Sequence, residues 1–156
     1  MQTIDFLSSV LPTAGHYCLF ALRGPKGKER RLQTFNTHLS AVWDSAQQLN
    51  ADGWNTFFAL STFQDDNSRE APNASYTRCL FVDLDCGPKS PYYAKKSDAV
   101  AALDTFMQGS GLADLGKPWL VDSGGGVHAY WPFHEHVPST VWKPVAEAFK
   151  KRAKAL

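Results

Sequence analysis

The stretch RCLFVDLD, residues 78–85, carries the pattern that decides the fold. Successive side chains of a β-strand point to opposite faces of the sheet, so this stretch separates into two sets. The apolar set is Leu80, Val82 and Leu84. The other set is Phe81, Asp83 and Asp85. The alternation predicts a strand that buries one face in a core and carries two carboxylates on the other.

Helices and strands follow one another irregularly on both sides of this acidic strand. Apolar spacing predicts helices over residues 3–11 and 38–51, a helix with Ser97 as its N-cap, and a last helix from Pro138-Ser139 to Leu156. Further strands are predicted over residues 16–22, 30–35, 56–62, 118–123 and 127–133. Glycine-containing turns join 16–22 to 30–35 and 118–123 to 127–133 as hairpins. The mixture predicts an α/β (α+β) fold with a mixed or antiparallel sheet, instead of a doubly wound parallel one.

The length and composition are those of an ordinary globular domain. The chain has 156 residues, of which 44% are hydrophobic and 13% aromatic, and this composition argues against disorder. No apolar run reaches the ~20 residues of a membrane span, so no membrane partner is expected. The first residues lack the basic segment and long apolar core of a secretory signal.

The cysteines indicate a reducing compartment. They are three in number, an odd count with no CxxC pair: Cys18, Cys79 and Cys86. This usage fits free thiols better than a disulfide framework. The alternative is a zinc site formed by Cys79, Cys86 and a distant histidine. We therefore expect a cytoplasmic protein.

The charge balance excludes a general basic coat for nucleic acid. The formal net charge is +1, from 16 Lys and Arg against 15 Asp and Glu, so any nucleic-acid contact has to come from local patches. The candidate residues are Lys26, Lys28, Arg30 and Arg31 in the first hairpin, and Arg69 and Arg78 ahead of the acidic strand. The alternative is a solvated hairpin tip and ordinary surface roles for the other two.

The acidic pair predicts a divalent cation site. Two residues apart on a strand, Asp83 and Asp85 lie ~7 Å apart at Cα. Their side chains can converge on one cation or bridge two cations. Hard oxygen ligands suit Mg²⁺ or Mn²⁺. The alternative is a strand end at which Asp85 begins a turn and Asp83 faces water.

A second motif is DSGGGVHAYW, residues 122–131. Consecutive glycines let backbone N–H groups approach an anion closely. The residues that can grip phosphates are Ser123, Gly124, Gly125, Gly126 and His128. The loop is neither a Walker motif nor a dinucleotide fingerprint, because a strand follows the glycines where those motifs have a helix. The alternative is a glycine-rich hairpin turn with a structural histidine.

Together the two motifs resemble those of the archaeo-eukaryotic primase superfamily, in its phage and plasmid primase-polymerase branch. Asp83 and Asp85 match the acidic first motif of that family. Its second motif, sGxGxH, is matched by Ser123, Gly124, Gly126 and His128. The resemblance spans most of residues 16–150.

The resemblance implies a fold and an activity in DNA replication. It implies an RNA-recognition-motif-like sheet with packed helices in residues 77–156, preceded by an N-terminal α/β unit in residues 1–76. Asp83 and Asp85 would hold Mg²⁺ or Mn²⁺, and His128 would act beside them in catalysis. Ser123, His128 and the glycine amides would bind the phosphates of an NTP or dNTP. On a single-stranded DNA template, a 3′-hydroxyl would attack the α-phosphate of the nucleotide and pyrophosphate would leave. A helicase domain or protein would be a further partner.

One departure from the family concerns its third motif, an Asp on a later strand that completes the metal site. No Asp follows His128, and the only carboxylate side chains there are Glu135 and Glu147. We therefore expect the N-terminal portion of a primase-polymerase catalytic domain, inactive or weakly active alone.

Two other functions stay open. One is a non-catalytic module that binds nucleotide or single-stranded DNA. The other is a rolling-circle-type nuclease, because His134-Glu135-His136 puts two histidines on one strand face. Such a nuclease needs a later nucleophilic tyrosine, and none follows Tyr130.

Overall fold

The computed structural model describes residues 3–109 and 112–154. The helices are α1 Thr3–Val10, α2 Leu39–Ala51, α3 Lys96–Gly109 and α4 Ser139–Ala153. The strands are β1 Tyr17–Arg23, β2 Arg30–Asn36, β3 Asn55–Phe58, β4 Ser61–Phe63, β5 Ala74–Asp85, β6 Trp119–Asp122 and β7 Gly126–Pro138. Short 3₁₀ turns cover Ala71–Asn73 and Ala113–Leu115. Within these residues, no helix has the length and apolarity needed to cross a bilayer.

The α/β class and the antiparallel pairing predicted from the sequence are confirmed. One sheet has the order β2-β1-β3 and the other the order β4-β5-β7-β6. Both predicted hairpins form, β1 with β2 and β6 with β7. The acidic strand is the long central strand β5, and the glycine loop lies between β6 and β7.

The chain divides into two compact units. The first contains the residues up to Arg78 together with His134–Ser139, and the second contains Cys79–Phe133 and the residues from Thr140 onward. Both boundaries inside the sheet fall within strands, one in β5 and one in β7.

The core of the first unit lies between α1, α2 and the three-stranded sheet. Its fully or nearly fully buried side chains include Phe6, Val10, Leu11, Leu19, Ala21, Val42 and Phe63. The alternation of buried and exposed residues on β1 leaves Leu19 and Ala21 on the side where α2 packs. Burial of this apolar set is the main force that holds α2 on the sheet.

The core of the second unit lies beneath the apolar face of β5. The buried cluster consists of Leu80, Leu84, Ala99, Leu103, Ala129, Trp131 and Phe149. Val82 packs against it in a partly buried position, so the predicted apolar face of the acidic strand is confirmed. The indole N–H of Trp142 on α4 donates a 2.9 Å hydrogen bond to the carbonyl oxygen of Cys79. Because β5 faces this core on one side only, Asp83 and Asp85 are left exposed on the other.

Two sequence predictions about local structure are wrong. The single strand over 56–62 is in fact two, since β3 pairs with β1 and β4 pairs with β5. The chain changes sheets at Ala59, whose N–H donates to the carbonyl oxygen of Cys18. Ser97 is not an N-cap: α3 already begins at Lys96, and the Ser97 hydroxyl donates to Asp98. The predicted end of the last helix at Leu156 lies outside the described residues.

Candidate functional site

The end of β5 and the glycine loop are held against each other by backbone contacts. The N–H of Cys86 donates a 2.9 Å hydrogen bond to the carbonyl oxygen of Gly125. At Gly126 a methyl group would overlap the carbonyl oxygen of Leu84, so only glycine fits there. This close approach brings the acidic pair and the SGGGVH motif to one edge of the second unit.

The glycine loop is a tight turn whose first amides already have acceptors. The N–H of Ser123 donates to the carbonyl oxygen of Gly126 at 3.2 Å. The N–H of Gly124 donates to the carboxylate of Asp122 at 2.8 Å. Gly124 has φ +84°, a backbone conformation that residues with a Cβ adopt at a cost. The loop therefore presents one backbone N–H, that of Gly124, to an anion, and the anion is the Asp122 side chain of the protein itself.

A lysine also contacts the Asp122 carboxylate. The ammonium group of Lys96, the first residue of α3, lies 2.6 Å from the same Asp122 oxygen. The hydrogen bond from Lys96, and after it the Gly124 N–H, lowers the pKa of the Asp122 carboxyl. Both side chains are exposed to solvent. The Lys96 ammonium and the Gly124 N–H therefore share one carboxylate acceptor on the surface, and donors of these two kinds also bind phosphate oxygens.

Neither Lys96 nor Asp122 is among the site residues predicted from the sequence. An Asp two residues before a glycine is a known signal for a turn in which its carboxylate accepts from the backbone. Lys96 carries no comparable signal, because 26 residues separate it from Asp122 and only the tertiary fold brings them together.

His128 lies between the acidic strand and a buried tyrosine. Its Nε2 lies 3.4 Å from a carboxylate oxygen of Asp83, and its Nδ1 lies 3.3 Å from the hydroxyl of Tyr130. Phe81 packs edge-on against the imidazole, with 5.2 Å between ring centroids. A neutral His128 with its proton on Nε2 satisfies both polar contacts, because the tyrosine can then donate to Nδ1.

The Tyr130 hydroxyl that contacts the His128 imidazole is neutral. Burial, followed by the nearby Cys79 and Asp83, raises the pKa of Tyr130 to about 12. The hydroxyl therefore keeps its proton at neutral pH, and a role as an ionised nucleophile is disfavoured. His128 is fixed in orientation by Asp83, Tyr130 and Phe81, and the last two are absent from the predicted site.

The carboxylates of Asp83 and Asp85 are donors that suit a hard divalent cation. Both lie on the exposed face of β5, and half of the Asp83 side chain is open to solvent. Within residues 3–109 and 112–154, no group of three or more His, Cys, Asp or Glu side chains is arranged to hold a metal. Magnesium is commonly bound by one or two carboxylates with water and substrate phosphates, so this donor set fits an ion completed by a ligand.

The predicted nucleic-acid residues have different environments. Lys26, Lys28, Arg30 and Arg31 are exposed on the first hairpin, and the Arg30 guanidinium lies 5.7 Å from the Trp54 ring. Arg69 stacks over Phe20. Arg78 instead donates to the carbonyl oxygens of Ser8 at 2.9 Å and His134 at 3.2 Å, so its guanidinium joins α1 to the end of β7.

One histidine of the HEH segment, His136, serves local packing in the first unit. His136 Nδ1 lies 3.0 Å from the Thr13 hydroxyl, and the His136 ring packs on Tyr76 with 4.5 Å between centroids. His134 is exposed. These contacts give His136 partners that a metal ion would have to displace.

Comparison of the chain with protein-family models, with curated protein sequences and with solved structures found no match.

Proposed function

We propose that this chain is a nucleotide- and metal-binding domain of a primase-polymerase-type nucleotidyltransferase that acts in DNA replication. The observation that supports the proposal is the close approach of β5 to the glycine loop, through Gly126 beside Leu84 and the Cys86–Gly125 hydrogen bond. This contact puts two exposed carboxylates beside a turn whose Gly124 N–H donates to a carboxylate. A nucleoside triphosphate with its divalent cation needs both features.

In this proposal each residue has a separate task. Asp83 and Asp85 hold Mg²⁺ or Mn²⁺, which neutralises charge on the phosphates and activates an attacking hydroxyl when bound. The triphosphate takes the place of the Asp122 carboxylate at the Gly124 amide, and Lys96 and the Ser123 hydroxyl turn to its oxygens. His128 keeps its ring orientation through Tyr130 and contacts a phosphate oxygen. The second substrate is a 3′-hydroxyl. It belongs to a strand that is base-paired to an otherwise single-stranded DNA template.

A second candidate is a non-catalytic module that binds nucleotide. It is favoured by one observation: in the described part of the chain, no group of three or more His, Cys, Asp or Glu side chains that includes Asp83 and Asp85 is arranged to hold a metal. Two carboxylates are sufficient for a nucleotide-bound cation, whereas two-metal transfer is better served by a larger ligand set.

Nucleotide-dependent stabilisation tests the binding step that both candidates share. At nucleotide concentrations near 100 times Kd, ligand linkage adds about 2.7 kcal/mol to the free energy of unfolding, which raises Tm by roughly 5–10 °C for a domain of this size. We expect this rise with NTP and Mn²⁺. The double variant Asp83→Asn, Asp85→Asn should lose the Mn²⁺-dependent part, and His128→Ala should lose the nucleotide-dependent part. Asp104→Asn, an exposed carboxylate on α3, is the matched control.

Primer synthesis separates the enzyme from the binding module. The chain is incubated with NTPs, Mn²⁺ and a single-stranded template, and dinucleotide products are measured. Robust synthesis that disappears in the Asp83→Asn, Asp85→Asn variant establishes the enzyme. Stabilisation by nucleotide without synthesis establishes nucleotide binding only, which is also the result expected of a catalytic-domain portion that is inactive alone. Equal stabilisation of the wild-type chain and of the carboxylate and histidine variants would contradict both.

A further inference from the structure

One face of the three-stranded sheet in the first unit carries an unusual set of side chains. The strand registers align Gln33, Phe20 and Phe57 in one row across β2, β1 and β3. The next row is Arg31, Leu22 and Asn55. We call these six side chains the open face. It contains aromatic rings, amides and an arginine, and it contains no carboxylate.

The open face lies on the side of the sheet opposite α2. Leu19 and Ala21, which alternate with Phe20 and Leu22, are buried on the helix side. On the open face, Arg31, Gln33 and Asn55 are exposed and Phe57 retains 49% of its accessible surface. Phe57 lies in one row with Phe20, so two rings form a contiguous apolar surface with polar side chains around it, as at interaction sites.

Arg69 extends the aromatic surface. Its guanidinium lies 4.1 Å from the centroid of the Phe20 ring, in cation–π contact. The ring of Phe57 lies 6.2 Å from that of Phe20. Within the described residues, Arg69 forms no ion pair with a carboxylate. A planar guanidinium that stacks on a ring offers its outer side to another planar group.

The charge around the open face is complementary to an anionic chain. The adjoining hairpin, RGPKGKERR over residues 23–31, carries five basic side chains and one acidic side chain, Glu29. The loop that supplies Arg69 also contains Asp65, Asp66 and Glu70. Of these, Asp65 accepts from the backbone N–H of Asn67 in its own loop. Cationic residues therefore border the face at the hairpin end.

From these residues we infer that the open face binds single-stranded nucleic acid by base stacking. One unpaired base stacks on Phe57 and a neighbouring base on the Arg69–Phe20 pair. The amides of Gln33 and Asn55 contact base edges, and Arg31 with the hairpin contacts phosphates. Aromatic rings on a sheet surface beside a basic groove are the general means by which proteins hold unpaired strands. The site uses no residue of the nucleotide site proposed above.

Fluorescence anisotropy of a labelled thymidine 15-mer, titrated with the full chain in EDTA and without nucleotide, tests the inference. Stacking of one base is worth roughly fivefold or more in affinity. We therefore expect Phe57→Ala and Phe57→Leu each to weaken binding at least about fivefold, while Phe57→Tyr retains the wild-type affinity. Arg69→Lys, which keeps the charge and loses the plane, should weaken binding by a similar factor at high and at low salt, because the number of charged contacts is unchanged. Val141→Ala, at an exposed apolar residue on α4, is the matched control.

An abasic 15-mer of equal charge and a uridine 15-mer complete the experiment. Binding of the thymidine and uridine strands with at least fivefold preference over the abasic strand supports stacking of unpaired bases. Equal binding of the abasic strand, or no binding of any strand, overturns the inference, and so does an unchanged affinity in Phe57→Ala. The Asp83→Asn, Asp85→Asn variant should bind the strand normally, so failure of the nucleotide site and failure of the open face are distinguished.

Discussion

Gly126 is the residue on which the candidate site depends most directly. Its lack of a side chain permits β7 to approach the Leu84 carbonyl, and this approach joins the glycine loop to the acidic strand. Gly125, its neighbour, has open space where a Cβ would be placed. Close packing therefore requires glycine at position 126 and does not require it at position 125.

We predict that Gly126→Ala destabilises the chain by about 2 kcal/mol or more, because the methyl group forces two backbones apart. Gly125→Ala should change the free energy of unfolding by less than about 0.5 kcal/mol. Urea denaturation followed by tryptophan fluorescence measures both values. Equal destabilisation by the two substitutions would show that close packing at Leu84 is not the cause.

The candidate site could be predicted in part from residue types. The DxD and SGGGVH motifs are visible because each combines its residues within a short stretch. Lys96, Phe81 and Tyr130 were not predicted, since their roles come from contacts between separate strands and helices. A sequence pattern reports which chemical groups are available, and the fold determines which of them meet.

Among the elements, the apolar run through β3 and β4 shows what hydrophobic periodicity does not predict: the place where one strand ends and the next begins. The residues TFFALSTF, 56–63, contain no glycine or proline, so the sequence has no mark of the change from one sheet to the other. The change occurs because β3 continues the first sheet beside β1 and β4 bonds to β5. Hydrogen-bond partners of this kind are long-range, and local propensity does not specify them.

The attachment of α4 to β5 gives a prediction at the element scale. Trp142→Phe keeps the aromatic packing and removes the indole N–H that donates to the Cys79 carbonyl. The loss should cost about 1–2 kcal/mol, because a carbonyl buried in the core loses its partner. Trp119→Phe is the control, since Trp119 is exposed on β6, and its effect should lie within about 0.5 kcal/mol. Chemical denaturation of both variants provides the measurement, and an equal, small effect of both would assign the hydrogen bond no net stability.

At the scale of the whole molecule, a buried thiol makes the free energy of unfolding decrease with pH in the alkaline range. Burial raises the pKa of Cys79 to about 12 from an ordinary value of 9.0. The unfolded chain therefore loses this proton at a lower pH than the folded chain. The stabilising contribution is complete below pH 9 and decreases as the pH rises towards 12.

We predict that the free energy of unfolding falls more steeply above pH 9 in the wild-type chain than in Cys79→Ala. Near pH 10 the difference in slope should be about 1 kcal/mol per pH unit. Urea denaturation at intervals between pH 8 and pH 10.5 measures both slopes, and comparison of slopes removes the constant cost of the smaller side chain. Parallel slopes would mean that the thiol ionises equally in the folded and unfolded chains.

The overall class of the fold was predictable, because strands and helices each left a strong local pattern and two hairpins had clear turns. The division into compact units was less visible. Residues 134–138 continue β7, which starts in the second unit, yet they belong to the first unit. Their contacts there, His136 with Thr13 and Tyr76, join residues far apart in the sequence.

This return of the chain to its first unit has a consequence for synthesis on the ribosome. The N-terminal unit cannot be completed when its first 78 residues emerge, because the segment His134–Ser139 that receives Arg78 and Thr13 is translated much later. Until then the N-terminal part of β5 lacks its β7 partner and leaves an unpaired strand edge. Unpaired edges favour aggregation and are bound by chaperones. The order in which the residues are translated therefore differs from the order in which the first unit could be completed.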